Sequence, residues 1–118
     1  MKNDLLYVDH VIETADKIAS YIENISRENF LENDMLCDAV MRNLQILSES
    51  TQKISQETKE QFKNIPWKDI AGFRNILARD YLEGADLTIV WNVAIHDLPE
   101  LRKAFSIIKS SIIDKRKV

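Results

Sequence analysis

Pro66-Trp67-Lys68-Asp69-Ile70-Ala71-Gly72-Phe73-Arg74-Asn75-Ile76-Leu77-Ala78-Arg79-Asp80-Tyr81 is the stretch whose reading decides the fold. It predicts a single helix, started by Pro66 near the first-turn position, where a missing N–H costs nothing. At about 100° per residue, with Arg74 at zero, the residues Trp67, Ile70, Ala71, Leu77, Ala78 and Tyr81 fall within about 60° on either side. An arginine therefore sits in the middle of the apolar arc. A guanidinium is rarely buried without a partner. Two roles remain for Arg74: it pairs with a buried acid, or it lines a cleft or subunit interface that receives an anion.

The flanking sequence supplies further helices. Leu5, Val8, Ile12, Ala15, Ala19 and Ile22 recur at three- and four-residue spacing and predict a first helix from Asp4 to Ile25. Residues 27–34 are polar apart from Phe30 and Leu31, and they predict a connection. Asn33 or Asp34 then caps a second helix, with Leu36, Val40, Leu44, Leu47 and Ile54 on its stripe. From Ser55 to Asn64 the pattern weakens to a short turn-like helix or loop. The third helix ends near Gly84. Asp86 caps a short fourth carrying Leu87, Val90 and Val93. Asp97 and Pro99 start a fifth, with Leu101, Phe105, Ile108 and Ile112 inward. Long stripes and short connections predict an all-α, four-helix up-and-down bundle with one additional short helix.

Composition agrees. A chain of 118 residues, 45% hydrophobic and 30% charged, is expected to form one domain over residues 1–118. Two glycines and two prolines leave little turn chemistry for a many-stranded fold. No apolar run approaches the ~20 residues of a membrane span, and Tyr7, Asp9 and His10 interrupt any signal-peptide core. Cys37 is the sole cysteine, which fits a reducing, cytoplasmic setting. With His10 and His96 it gives no metal-ligand spacing, so no metal and no cofactor are expected. The net charge of −3 argues against broad electrostatic capture of nucleic acid. It leaves room for a local basic site built from Arg42, Lys63, Lys68, Arg74 and Arg79. The terminal Lys109 and Lys115-Arg116-Lys117 read as a solvated helix end.

The stretch from Trp67 to Tyr81, helix two from Ala39 to Ser50, Val90-Trp91 and Asp97-Leu98-Pro99-Glu100-Leu101 together resemble the HepT-like branch of the HEPN proteins. These are small all-helical ribonucleases, mostly prokaryotic toxins encoded beside a minimal nucleotidyltransferase antitoxin. Their motif is Arg, Asn or another polar residue, three more residues, then His-X-Tyr. Arg74, Asn75, Asp80 and Tyr81 match it, and Arg79 stands at the histidine position. The resemblance implies a homodimer with the active cleft at its interface, an RNA substrate, and metal-independent cleavage. It also implies that Tyr81 is the acceptor the antitoxin modifies with AMP.

Such cleavage needs a base for the 2′-OH proton, an acid for the leaving 5′-oxygen and a cation for the charged phosphorane. Histidine suits proton transfer at neutral pH. Arginine suits the phosphate, because its planar fork is permanently charged. Arg74 fits that role. Arg79 does not deprotonate, so the sequence predicts a chain that is inactive or strongly impaired as a ribonuclease. Arg79 also reads as an exposed arginine on the polar side, with Lys68 and Asn75. The alternative function is an inert helical dimer that binds the nucleotidyltransferase partner. Arg42 either extends the phosphate site or pairs with Asp38, and Asp80 pairs with an arginine or is solvated. His96 opens a new turn before Asp97-Leu98-Pro99, which disfavours it as a replacement for the motif histidine.

Overall fold

The computed structural model describes residues 3–73 and 86–116, and every regular element among them is helical. Three long helices form the frame: α1 (Asp4–Ile22), α3 (Asp34–Gln52) and α7 (Leu98–Arg116). Short ones lie between them: α2 (Arg27–Glu32), α4 (Gln56–Gln61), α5 (described over 67–73) and α6 (Leu87–Asn92). The motif residues Arg74, Asn75, Arg79, Asp80 and Tyr81 lie outside the described residues, as do Leu77, Ala78 and the expected stop at Gly84.

The helices α1 and α7 run antiparallel, since Asp16 pairs with Arg102 at 3.0 Å and Asp9 with Lys109 at 2.8 Å. α1 also packs along α3. The shared core is apolar and closed: Val8, Val11, Ile18, Phe30, Val40, Leu47, Phe105 and Ile108 are fully buried. Each such aliphatic or aromatic side chain contributes about 1.5–3 kcal/mol through removal from water.

The buried line of α1 is Asp4, Val8, Val11, Ala15, Ile18 and Ile22. The expected stripe through Leu5, Ile12 and Ala19 is thus turned: Leu5 and Ile12 are only partly buried, and Ala19 is exposed. Both sets have three- and four-residue spacing. The observed one begins on a carboxylate, which apolar periodicity does not count. The helix also stops at Ile22 rather than Ile25, because Asn24 takes φ 60° and reverses the chain. Asn tolerates this left-handed region better than most residues.

The expected polar connection over 27–34 is largely the helix α2. Ser26 caps it by accepting from the Asn29 N–H at 3.1 Å. Phe30 anchors it, packed on the Trp91 ring at 5.1 Å between centroids. Asn33 then caps α3, accepting from the Leu36 N–H at 3.0 Å, as its sequence position predicts.

No break separates the fourth and fifth expected helices. α6 runs through a π-helical turn (Val93–Asp97) directly into α7. The Leu98 N–H reaches back five residues to the Val93 carbonyl. Proline inside a helix lacks a donor and collides with the carbonyl four residues earlier. The wider turn relaxes the backbone just where Pro99 enters. Asp86 caps α6, accepting from the Thr88 N–H at 3.1 Å.

Asp4 is 3% exposed yet charged. Its carboxylate accepts from the Ser55 N–H at 2.9 Å, the Ser55 hydroxyl at 2.6 Å and the Thr58 hydroxyl at 2.6 Å. Ser55 is the N-cap of α4, so a side chain of α1 organises the start of a helix 51 residues later. Burial pushes the Asp4 carboxyl up, but the hydrogen bonds from Ser55 and Thr58 outweigh it and hold it below its ordinary 3.8. A carboxyl with a depressed folded-state pKa stabilises the fold above its unfolded pKa and loses that contribution as pH falls through the folded value. Asp4→Ala is expected to cost about 2–4 kcal/mol in urea unfolding at neutral pH, since it orphans buried donors. Asp4→Asn is expected to cost less and to flatten the loss of stability below about pH 4. A parent and Asp4→Asn with identical pH–stability curves would disprove this account.

Candidate functional site

The start of α5 is held from three sides. The fully buried Ser48 hydroxyl of α3 donates to the Ile70 carbonyl at 3.0 Å. Ile70 itself is 1% exposed and belongs to the core. Trp67 donates its indole N–H to the Phe62 carbonyl at 3.0 Å and meets the Phe105 ring edge-on at 5.6 Å. The Pro66 carbonyl accepts from the Ile70 N–H at 3.1 Å, so Pro66 sits just before the first helical residue, where its missing donor costs nothing. The apolar arc expected around Trp67, Ile70 and Ala71 is inward, with Trp67 and Ala71 half-buried and Lys68 exposed.

Two recesses flank this anchored turn and differ in charge. On one side a cavity of about 390 Å³ is lined by Asp69, Ile70 and Phe73 of α5 and by His96, Asp97 and Glu100 from the π turn and α7. Three carboxylates around His96 give it the wrong sign for a phosphate. On the other side an open groove of about 620 Å³ runs between α4 and α5. Lys59, Lys63 and Lys68 line it with Trp67, and the Lys59 ammonium lies 5.8 Å from the Trp67 ring centroid. Lys63 and Lys68 were legible as candidate cations. Lys59 falls outside the cations that the sequence singles out; it belongs to α4, whereas Lys63 lies in the turn that follows.

Of the expected site residues, Arg42 alone lies among the described ones. It is exposed on α3 and donates to the Gln45 side chain at 3.2 Å, rather than pairing with Asp38. Gln45 in turn donates to Glu49 at 3.3 Å, so the guanidinium joins a polar chain along α3. Cys37 is buried, and its thiol donates to the Phe30 carbonyl at 3.1 Å. Burial, with Asp34 and Asp38 nearby, pushes the thiol pKa up, which makes it inert as a nucleophile. Among the described residues no group of three or more His, Cys, Asp or Glu side chains is placed to hold a metal. No helix among them is long and apolar enough to cross a membrane.

The family model described as Ribonuclease HepT-like matches residues 11–108. The chain is similar to a Methanocaldococcus jannaschii protein named as a candidate RNase, 33% identical over 98 residues, covering 83% of this chain and 89% of that one. A Thermococcus cleftensis protein named "Probable ribonuclease HepT" is 29% identical over 99 residues, covering 84% and 89%. A longer M. jannaschii protein, named as a γ-glutamylcyclotransferase and a candidate RNase, is 34% identical over 104 residues. Those residues are 87% of this chain but 46% of that protein, so this chain corresponds to about half of it. No solved structure matches the chain.

Ser48→Ala is expected to cost about 1 kcal/mol, the net worth of one buried hydrogen bond. Trp67→Ala is expected to cost about 2–4 kcal/mol through the lost aromatic packing and the orphaned Phe62 carbonyl. Chemical denaturation of both variants measures this, and a Trp67→Ala protein as stable as the parent would show that α5 is not anchored there.

Proposed function

The chain belongs to the HepT-like ribonuclease family, and from that premise we propose that it is the RNA-cleaving toxin subunit of a HEPN and nucleotidyltransferase toxin–antitoxin pair, impaired by Arg79. The observation that carries this reading is the family match over residues 11–108, which contains the whole stretch from Arg74 to Tyr81. In this reading the chain is one HEPN domain and works as a homodimer, with Arg74 at the shared cleft. Its partners are RNA and the antitoxin. Arg74 binds the scissile phosphate and stabilises the phosphorane, and Asn75, Asp80 and Arg42 support it. Tyr81 is the AMP acceptor.

Position 79 must exchange a proton near neutral pH, and a guanidinium holds its proton throughout. Proton transfer by a positioned group is worth about 10²–10⁴ in rate. A second reading rests on the same arginine: the chain is an inert helical dimer that binds the nucleotidyltransferase without cleaving RNA.

Arg79→His is expected to raise ribonuclease activity by about 10²-fold or more. Adding Arg74→Ala should abolish the gain. A parent that cleaves as fast as Arg79→His would remove proton transfer from position 79. An Arg79→His protein that stays inert would favour the binding-module reading. Light scattering should give twice the 13.7 kDa chain mass. In the Arg79→His background, Tyr81→Phe should leave cleavage largely intact. It should also prevent the mass gain on incubation with the antitoxin and ATP; equal labelling of both proteins would place the modification elsewhere.

A further inference from the structure

We propose that the groove between α4 and α5 is a binding subsite for a single RNA strand flanking the scissile bond, with Lys59, Lys63 and Lys68 on its phosphates and Trp67 under one of its bases. This deepens the ribonuclease reading and rests on it. The chain as a whole carries a net charge of −3, yet here three lysines face two carboxylates, Glu60 and Asp69. Among the described residues none of the three lysines is held in an ion pair. Unpaired cations gathered on an acidic protein focus a local positive field where a polyanion docks.

Trp67 adds the second element. Its indole N–H is fixed on the Phe62 carbonyl and its edge on Phe105, so the ring is oriented rather than free. It is only half-buried, and what stands over it is the Lys59 ammonium. A lysine on a long stem is a displaceable cover. It moves onto a phosphate and leaves the ring for a base, which stacks there irrespective of sequence. Positive grooves interleaved with aromatic rings are the general device for holding single strands. The groove, about 620 Å³, has room for a nucleotide. Its position suits a flank: Trp67 lies seven residues before Arg74, two helical turns on nearly the same line of the sequence-predicted helix.

The test is fluorescence anisotropy of an end-labelled oligouridine of about 12 nucleotides with the full chain, between about 50 and 200 mM salt. Lys59→Gln, Lys63→Gln and Lys68→Gln combined should weaken binding about tenfold or more and lower the salt slope by about 2, since each phosphate contact on a single strand contributes about 0.7. In a Trp91→Phe background, RNA should quench the remaining Trp67 emission. Unchanged affinity and slope in the triple variant would overturn the subsite, as would a parent that does not bind. An acidic oligoglutamate that binds as tightly as the RNA would also overturn it, in favour of a protein partner. Binding is read without cleavage. A chain that binds through the lysines but stays inert after Arg79→His upholds the groove and defeats the catalytic reading. A chain that cleaves after Arg79→His while the lysine substitutions change nothing defeats the groove alone.

Discussion

One buried carboxylate sets the geometry from which the site region follows. Asp4 lies on the buried line of α1, among otherwise largely apolar residues. What it does instead is gather the Ser55 N–H and two hydroxyls, and so fix the first turn of α4. α4 ends on Phe62, whose carbonyl takes the Trp67 indole N–H, and Trp67 opens α5 against Phe105 of α7. A polar relay thus runs from α1 to the helix that leads into Arg74. Apolar burial holds the frame of α1, α3 and α7 together, but it is non-directional. The hydrogen bonds specify how the start of α5 is seated on that frame.

The second constraint is the continuous run of α6, the π turn and α7. An uninterrupted α-helix would bring Pro99 against a carbonyl, and a full break would free Val90 and Val93 from the core beneath. The wider turn avoids both, and it brings His96 and Asp97 to the rim of the cavity under Phe73. The result is a helix start between a cavity lined by His96, Asp97 and Glu100 and a groove lined by Lys59, Lys63 and Lys68, with Asp69 lining both. On an acidic protein this separation matters more than net charge, because a phosphate chain responds to the field within about a Debye length, roughly 8 Å at physiological ionic strength.

The sequence made the all-helical class, the caps at Asn33 and Asp86, and the inward residues of α7 legible, because each rests on local periodicity or local hydrogen bonding. The errors share a cause. On α1 two apolar stripes one position apart, through Leu5, Ile12 and Ala19 or through Val11 and Ile18, have the same period, and the buried polar residues Asp4 and Thr14 on the second carry no apolar signal to favour it. The helix α2 was read as a connection because one buried phenylalanine among polar residues makes no stripe. The π turn was read as a break because proline ordinarily ends a helix. In each case a long-range contact decided the local outcome: Ser55 for Asp4, Trp91 for Phe30, the core for Val93. Lys59 carries no sequence signal of its own, because its meaning depends on Trp67 standing beside it.

Binding and chemistry are separable demands on such a chain, and its residues meet them unequally. Holding a phosphate requires fixed positive charge, which arginine and lysine supply at any physiological pH. Breaking the ester also requires a group that both takes and gives a proton, and of the side chains near neutral pH histidine alone does so without perturbation. Replacing a motif histidine by arginine therefore adds to the first capacity while removing the second. On the reading proposed above, a strand would be held more firmly and cut more slowly.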